Sequence, residues 1–202
     1  MEEKKNNLLD LSSEINKNRL IGKTINFGYD KTSENEIEWE VIGENKDSLL
    51  LITKHIVKAI PFSLDLHKDN YNLYHDSLIR KYLANDFPKY FHKYELDMIK
   101  SFGKDKFYIL SEDDLVRYYN IDYQRENSFL KARPTQLLFS EGFETNESGF
   151  GKYWLKNFDS RHDYAKIIDS FGNITRAKID NPNIGIRVCC WIEKNVDKKM
   201  IE

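Results

Sequence analysis

The sequence lacks the features expected of a disulfide-bonded or membrane-spanning protein. Its only cysteines, Cys189 and Cys190, are adjacent, and neighbouring cysteines rarely form an unstrained disulfide. No run of about 18 apolar residues is present, as a membrane-spanning helix would need. The first seven residues lack the apolar core of a secretory signal. We therefore expect a cytoplasmic protein with two free thiols in its core.

The sequence also has little excess charge of either sign. It contains 31 Lys and Arg against 33 Asp and Glu, for a formal net charge of −2. Such a chain has no basic field for counterion-driven binding. Direct binding to nucleic acid is therefore not expected.

Motifs for catalysis and metal binding are missing as well. No His-x-x-x-His or Cys-x-x-Cys spacing, Gly-rich phosphate loop or Gly-x-Ser-x-Gly elbow occurs. We interpret Asp65-x-His67-x-Asp69 as a solvated loop rather than a metal site. Ser160, His162 and Asp163 leave a hydrolase as an alternative, although neighbours in sequence rarely have triad geometry. We predict no metal, no cofactor and no catalytic residue.

The hydrophobic pattern predicts one α+β domain. Residues 1–20 read as an N-terminal helical arm, and no repeat or linker divides residues 21–202. We expect segments 153–156 and 183–192 to form a closing hairpin layer, and residues 120–152 to be loop-rich. The predicted strands are 24–29, 37–42, 48–53, 106–110, 153–156, 164–168, 174–177 and 183–192, and the predicted helices of the domain are 76–83, 93–99 and 111–118.

An ordered set of short motifs resembles a bacterial family of uncharacterised domains. The motifs are Ile37-Glu38-Trp39, Leu50-Leu51-Ile52-Thr53-Lys54, Ser77-Leu78-Ile79-Arg80-Lys81-Tyr82-Leu83, Phe107-Tyr108-Ile109-Leu110-Ser111, Tyr153-Trp154-Leu155-Lys156 and Ile184-Gly185-Ile186-Arg187. The last motif is also similar to the final strand of C-type-lectin-like folds, including sulfatase-modifying factors. The resemblance implies twisted antiparallel sheets, two or three helices, long loops and a binding face built from loops. Lys156 stands where the family has Arg.

Aromatic and cationic residues are interleaved in two parts of the chain. This composition is typical of base stacking and of protein interfaces, and a partly buried helix end is the alternative for the first part. The candidates for contact with a partner or ligand are Tyr118, Tyr119, Tyr123, Arg125, Trp154, Lys156, Arg161 and His162.

Three residues are interpreted as structural. Trp39 and Trp191 lie in predicted strands and are assigned to the core. Arg187 is a cation within an apolar strand, which is costly unless it is paired. We expect it to fix the final strand as a buried ion pair or carbonyl clamp, with Glu38 or Glu40 as partner.

Together these features predict a recognition domain that is not an enzyme. The expected target is an intracellular protein or nucleoprotein complex, in one version a bacterial defence complex that a phage or mobile-element protein inhibits, as anti-CRISPR proteins do. A module that binds a glycan or other small ligand is the alternative.

Overall fold

The protein has a mixed α+β fold with two mainly antiparallel sheets. The structure, a computed structural model, describes residues 20–30, 35–64, 73–101, 103–121, 127–158 and 163–194. The strands are β1 (Thr24–Asp30), β2 (Asn35–Glu44), β3 (Ser48–Thr53), β4 (Lys58–Ala59), β5 (Ile99–Lys100), β6 (Tyr153–Phe158), β7 (Tyr164–Ile168), β8 (Ile174–Lys178), β9 (Gly185–Ile186) and β10 (Cys189–Glu193). The helices are α1 (Leu73–Asp76), α2 (Leu78–Asn85), α3 (Lys93–Met98), α4 (Glu112–Tyr119) and α5 (Gln136–Ser140), with 3-10 helices at Phe87–Tyr90 and Ser128–Leu130.

Each sheet contains five strands. The first has the order β1-β2-β3-β10-β5 and the second the order β4-β9-β6-β7-β8. The meander of β1, β2 and β3 is antiparallel, as the sequence predicts. In β3, which lies between β2 and β10 at the centre of the first sheet, all six residues are buried.

Two antiparallel chain segments pass together from one sheet to the other. β3 pairs with β10 in the first sheet, and β4 pairs with β9 in the second. Between these pairings, Thr53 N donates to Val188 O at 2.8 Å and Val57 N donates to Ile186 O at 3.0 Å. The segments 53–57 and 186–188 therefore form a continuous bridge between the sheets, which we call the sheet crossing.

Local sequence explains where the longer helices begin. The Ser77 hydroxyl accepts a hydrogen bond from Arg80 N, and the Ser111 hydroxyl accepts one from Asp114 N. Serine is favoured at these positions because it satisfies backbone N–H groups that have no partner within the helix. The expected starts of α2 and α4 agree with these caps.

Several sequence-based expectations about local structure are wrong. The final segment is not one strand, because the chain changes sheets at Arg187 and Val188 and so divides into β9 and β10. β9 lies parallel to β6 through Tyr153 and Gly185, so the two do not form a hairpin. The segment 106–110 contributes only an isolated bridge from Tyr108 to Cys189.

The helix count and the loop assignment also differ from expectation. The described ranges contain five short α-helices rather than two or three, and α5 and a 3-10 helix lie within the part predicted to be loop-rich. A short helix such as α5 has too little periodic sequence to identify. The predicted arm lies outside the described residues, apart from Leu20. Among the helices of the described ranges, none has the length and apolar character needed to cross a membrane.

Candidate functional site

A groove of about 750 Å³ opens on the described surface. Its lining comes from the start of β2, from His55 and Val57, from the segment around Phe87 and from residues 133–139. Tyr82, Tyr90 and Phe139 give the groove aromatic walls, while Asn, Gln, Glu, His and Arg side chains supply polar groups. A concave site with apolar walls and a few convergent polar groups is typical of ligand-binding sites.

The floor of the groove rests on a cluster of aromatic rings. Phe27 stacks on Trp39 with ring centroids 5.0 Å apart, and Phe87 packs edge-on against Phe107 at 5.0 Å. Trp39 is fully buried and donates from Nε1 to Phe27 O at 3.0 Å. Phe87 is part of the groove lining and of this cluster. Dense aromatic packing makes the floor rigid, which favours a preformed site.

Glu38 organises the charged wall of the groove. Its carboxylate accepts from Lys54 Nζ at 2.9 Å and lies 3.0 Å from His55 Nε2. With Glu38 ionised, Nε2 carries the proton that faces it. The other ring nitrogen of His55, Nδ1, is shielded from solvent and has no hydrogen-bond partner among the described residues. In the neutral imidazole this nitrogen is an acceptor.

Arg133 is a second charged group of the groove lining. Its guanidinium carbon lies 4.6 Å from the centroid of Phe150, and Nη2 donates to Ser148 O at 3.3 Å. The backbone is fixed to the sheet crossing, because Ile56 N donates to Arg133 O at 2.9 Å and Thr135 N donates to Ile56 O at 3.0 Å. These hydrogen bonds hold the backbone of Arg133 next to the backbone of the His55 segment. The groove lining therefore carries charged groups of both signs whose positions the fold fixes.

The contacts of Glu38 with Lys54 and His55 should make the protein slightly less stable in acid. The hydrogen bond from Lys54 lowers the pKa of Glu38 below its ordinary 4.5, against the opposing effect of burial and with help from His55. A depressed folded-state pKa stabilises the protein above the unfolded-state pKa, and the stabilisation disappears as the pH falls through the folded-state value. Glu38→Gln should therefore cost up to about 0.5 kcal/mol at neutral pH, a small effect because the pair is partly solvated.

Urea denaturation at about pH 7 and about pH 3 measures this effect. The difference between wild type and Glu38→Gln should be present at the higher pH and absent at the lower one. Lys54→Met should reproduce the loss of pH dependence, because it removes the main cause of the shift. Parallel loss of stability in wild type and Glu38→Gln on acidification would contradict the prediction.

The predicted contact residues do not form one site. Tyr118 and Lys156 line a second, smaller cleft, together with Arg117 and Trp191. Tyr119 is partly buried against the core, and it stacks on the half-exposed Phe129 with centroids 5.7 Å apart. Tyr123, Arg125, Arg161 and His162 lie outside the described residues, as do Ser160 and the segment 65–69.

Trp154, one of the predicted contact residues, lies in the core instead. Its side chain is only 1% exposed, and Nε1 donates to Ile60 O at 2.9 Å. The ring also packs edge-on against Phe62 at 5.6 Å. The neighbouring cations made the segment look like surface, but β6 is the central strand of its sheet and its apolar residues face the core.

The residues interpreted as structural have different environments. Trp39 is buried, whereas Trp191 is half-buried and borders the second cleft. Arg187 is 3% exposed; its Nε donates to Thr53 O at 2.8 Å and its Nη2 lies 3.4 Å from Glu40 Oε2. The arginine therefore both donates to a carbonyl and lies near an acid, the two alternatives that the sequence left open, and the acid is Glu40 rather than Glu38.

Sequence reasoning did not identify the groove residues. Glu38 was considered only as a partner for Arg187, and His55, Arg133 and Phe139 were not singled out. One available signal was the register of the β2–β3 hairpin, in which Trp39 pairs with Thr53. This register places Glu38 beside Lys54, and Lys54 N donates to Glu38 O at 2.9 Å.

Neither cysteine is suited to nucleophilic attack, and the described residues contain no group of side chains placed to hold a metal ion. Cys189 and Cys190 are buried, and burial raises the pKa of both thiols well above the ordinary range. Buried protonated thiols are poor nucleophiles. Within the described ranges, no three His, Cys, Asp or Glu side chains are grouped so that they would hold a metal ion.

Comparisons with protein-family models, with curated proteins and with solved structures find no match to this chain. Its function is therefore inferred from the geometry of the groove and of the surrounding surface.

Proposed function

We propose that this chain is a recognition domain that binds a small polar ligand with an apolar face, such as a glycan unit, in the groove and without chemical change. The observation that carries the proposal is the groove itself. Its volume of about 750 Å³ lies within the range of about 300–1,000 Å³ that is typical of ligand sites.

The groove lining matches such a ligand in chemistry. Tyr90 and Phe139 offer ring faces or edges for an apolar surface. Asn26, Asn35 and Gln136 carry amides that both donate and accept hydrogen bonds. Charged groups of both signs are present, so the lining does not select for a strongly charged ligand. A molecule with hydroxyl or amide groups around an apolar face satisfies both types of wall.

We propose binding without catalysis because the charged groups of the groove already have partners within the protein. Both carboxylate oxygens of Glu38 already have partners, Lys54 and His55. Arg133 is held by Ser148 and by the ring of Phe150. Such prior engagement fixes side-chain positions for binding. We also propose a lectin-like arrangement of the two sheets and a cytoplasmic location, both of which come from the sequence interpretation.

Substitution at the rim of the groove tests the proposal. Phe139 is 57% exposed, so Phe139→Ser should leave folding intact while removing an aromatic contact. We expect ligand affinity to fall about fivefold, which corresponds to a lost aromatic contact of about 1 kcal/mol. Ligands are first found with a glycan array and a library of polar small molecules, and affinities are then measured by calorimetry.

A matched control uses an equally exposed phenylalanine outside the groove. Phe171 is 56% exposed in the turn after β7, and Phe171→Ser should leave affinity unchanged. An array and a library without any ligand that perturbs groove residues would reject the proposed function. Equal losses of affinity in the two variants would reject the assignment of the site.

Recognition of a protein or nucleoprotein partner is the second candidate. Large aromatic side chains, among them Tyr94 and Phe129, are at least half exposed outside the groove. Aromatic residues are enriched in the energetic centres of protein interfaces. Affinity capture and native mass spectrometry test this candidate, with loss of a specific partner expected for Phe129→Ser. A bacterial defence complex as that partner stays a prediction from the sequence.

A further inference from the structure

A second cleft, of about 280 Å³, lies at the opposite edge of the first sheet from β1. It is bordered by α4, by Lys156 of β6, by Trp191 of β10 and by Lys100 of β5. Its volume is slightly below the range of about 300–1,000 Å³ for typical ligand sites. The cleft therefore suits a compact ligand rather than an extended chain.

Positive charge predominates in this cleft. Lys100, Arg117 and Lys156 line it against a single carboxylate, that of Asp114. The Asp114 carboxylate is already engaged, because Oδ2 accepts from Ser111 N at 2.8 Å and from Ser111 Oγ at 2.7 Å. The only carboxylate of the cleft lining is therefore engaged in the N-terminal cap of α4. Although the chain as a whole has a formal charge of −2, the cleft has a local excess of cations.

Lys156 is held in place by aromatic rings rather than by an acid. Its Nζ lies 4.9 Å from the ring centroid of Tyr74 and 5.1 Å from that of Tyr108. The ion pairs seen within the described ranges involve other side chains and not this ammonium group. Cation–π contacts only partly replace the solvation of a lysine. An anion in the cleft would supply the missing counter-charge.

Two aromatic side chains form the remaining wall. Tyr118 packs edge-on against Trp191, with centroids 6.3 Å apart. The Tyr118 ring is fixed from behind by the backbone of Gly43, where a Cβ would lie 2.7 Å from Cδ1. The Arg117 guanidinium lies 5.9 Å from the centroid of the same ring. The cleft thus combines preformed aromatic surface with cations, the pair of features that binds single nucleotides of a nucleic acid strand.

We propose that this cleft binds a single nucleotide, with its phosphate at Lys156, Arg117 and Lys100 and its base against Tyr118 and Trp191. The small volume and the three cations set the size of the ligand at one base and one phosphate group. The source of the nucleotide is either a free mononucleotide or the phosphorylated end of a single strand, which present the same chemistry. This site is separate from the groove and does not depend on the function proposed for it.

Titration with adenosine 5′-monophosphate, monitored by amide chemical shifts and by calorimetry, tests the site. We expect shifts at cleft residues and an affinity at least about tenfold higher than that of adenosine, since each charge-assisted contact of the phosphate contributes about 1.5 kcal/mol. Lys156→Met should weaken binding of the nucleotide about tenfold for the same reason. A single-stranded oligonucleotide with a 5′ phosphate forms the second arm, and the tighter of the two ligands identifies the source.

Lys152→Met is the matched control, because Lys152 is an exposed lysine four residues earlier that does not line the cleft. Its affinity for the nucleotide should be that of the wild type. If Lys156→Met does not fold, Arg117→Met replaces it, since Arg117 is exposed on α4. Absence of binding, equal affinity for adenosine and its monophosphate, shifts outside the cleft, or equal losses in the Lys152 and Lys156 variants would each overturn the proposal.

Discussion

Arg187→Met should lower the free energy of unfolding by about 3 kcal/mol, because it removes a charged donor from the interior of the sheet crossing. The guanidinium is 3% exposed and donates to Thr53 O. It also lies 5.6 Å from the ring centroid of Tyr153 and 3.4 Å from the carboxylate of Glu40. Methionine fills part of the volume but leaves these polar groups without their donor.

Urea denaturation of Arg187→Met and Arg176→Met provides the comparison. Arg176 lies on β8, is exposed and also faces a tyrosine ring, that of Tyr164 at 5.8 Å. Its replacement should change the free energy of unfolding by less than about 0.5 kcal/mol, as is typical of surface sites. Similar effects of the two substitutions would show that Arg187 does not hold the crossing together.

Gly185→Ala should be destabilising by about 2–3 kcal/mol, because the added methyl group has no space. Its Cβ would lie 2.0 Å from Ile56 Cγ2 and 3.3 Å from Lys58 O. The isoleucine is fully buried, and Lys58 O belongs to the backbone of the neighbouring strand β4. The clash can therefore be relieved only if the strands themselves move. The glycine of the Gly-Ile-Arg motif is explained by this close approach.

A double-mutant cycle isolates the clash. Ile56→Ala alone should cost about 2–4 kcal/mol as a buried truncation, but in its background Gly185→Ala should cost clearly less than in the wild type. Urea denaturation of the four proteins gives the coupling energy. Additive effects of the two substitutions would show that the Ile56 methyl group is not what excludes a side chain at position 185.

The features that sequence patterns predicted are those set by nearby residues. The strand Ser48–Thr53 is a continuous apolar run between a turn and a polar residue, and the structure has it with the same bounds. The helix starts at Ser77 and Ser111 follow from side chains that bond to backbone three residues later. In each case the controlling interaction spans only a few positions.

The features that were missed depend on residues far apart in the chain. The break between β9 and β10 follows from bonds between Val188 and Thr53, which are 135 positions apart. The groove joins the β1–β2 hairpin to Arg133 and Phe139, whose proximity no periodicity reveals. The assignment of Trp154 failed for a related reason. Its buried face is decided by neighbouring strands and not by the cations beside it.

The sheet crossing would also link occupancy of the groove to the stability of both sheets. Its two segments carry hydrogen bonds in both sheets, so neither sheet loses its pairing there without disturbing the other. His55 and Val57, which line the groove, belong to one of these segments. A molecule that binds them only in the folded state therefore shifts the global unfolding equilibrium rather than a local opening. Occupancy of the groove would raise the melting temperature of both sheets together.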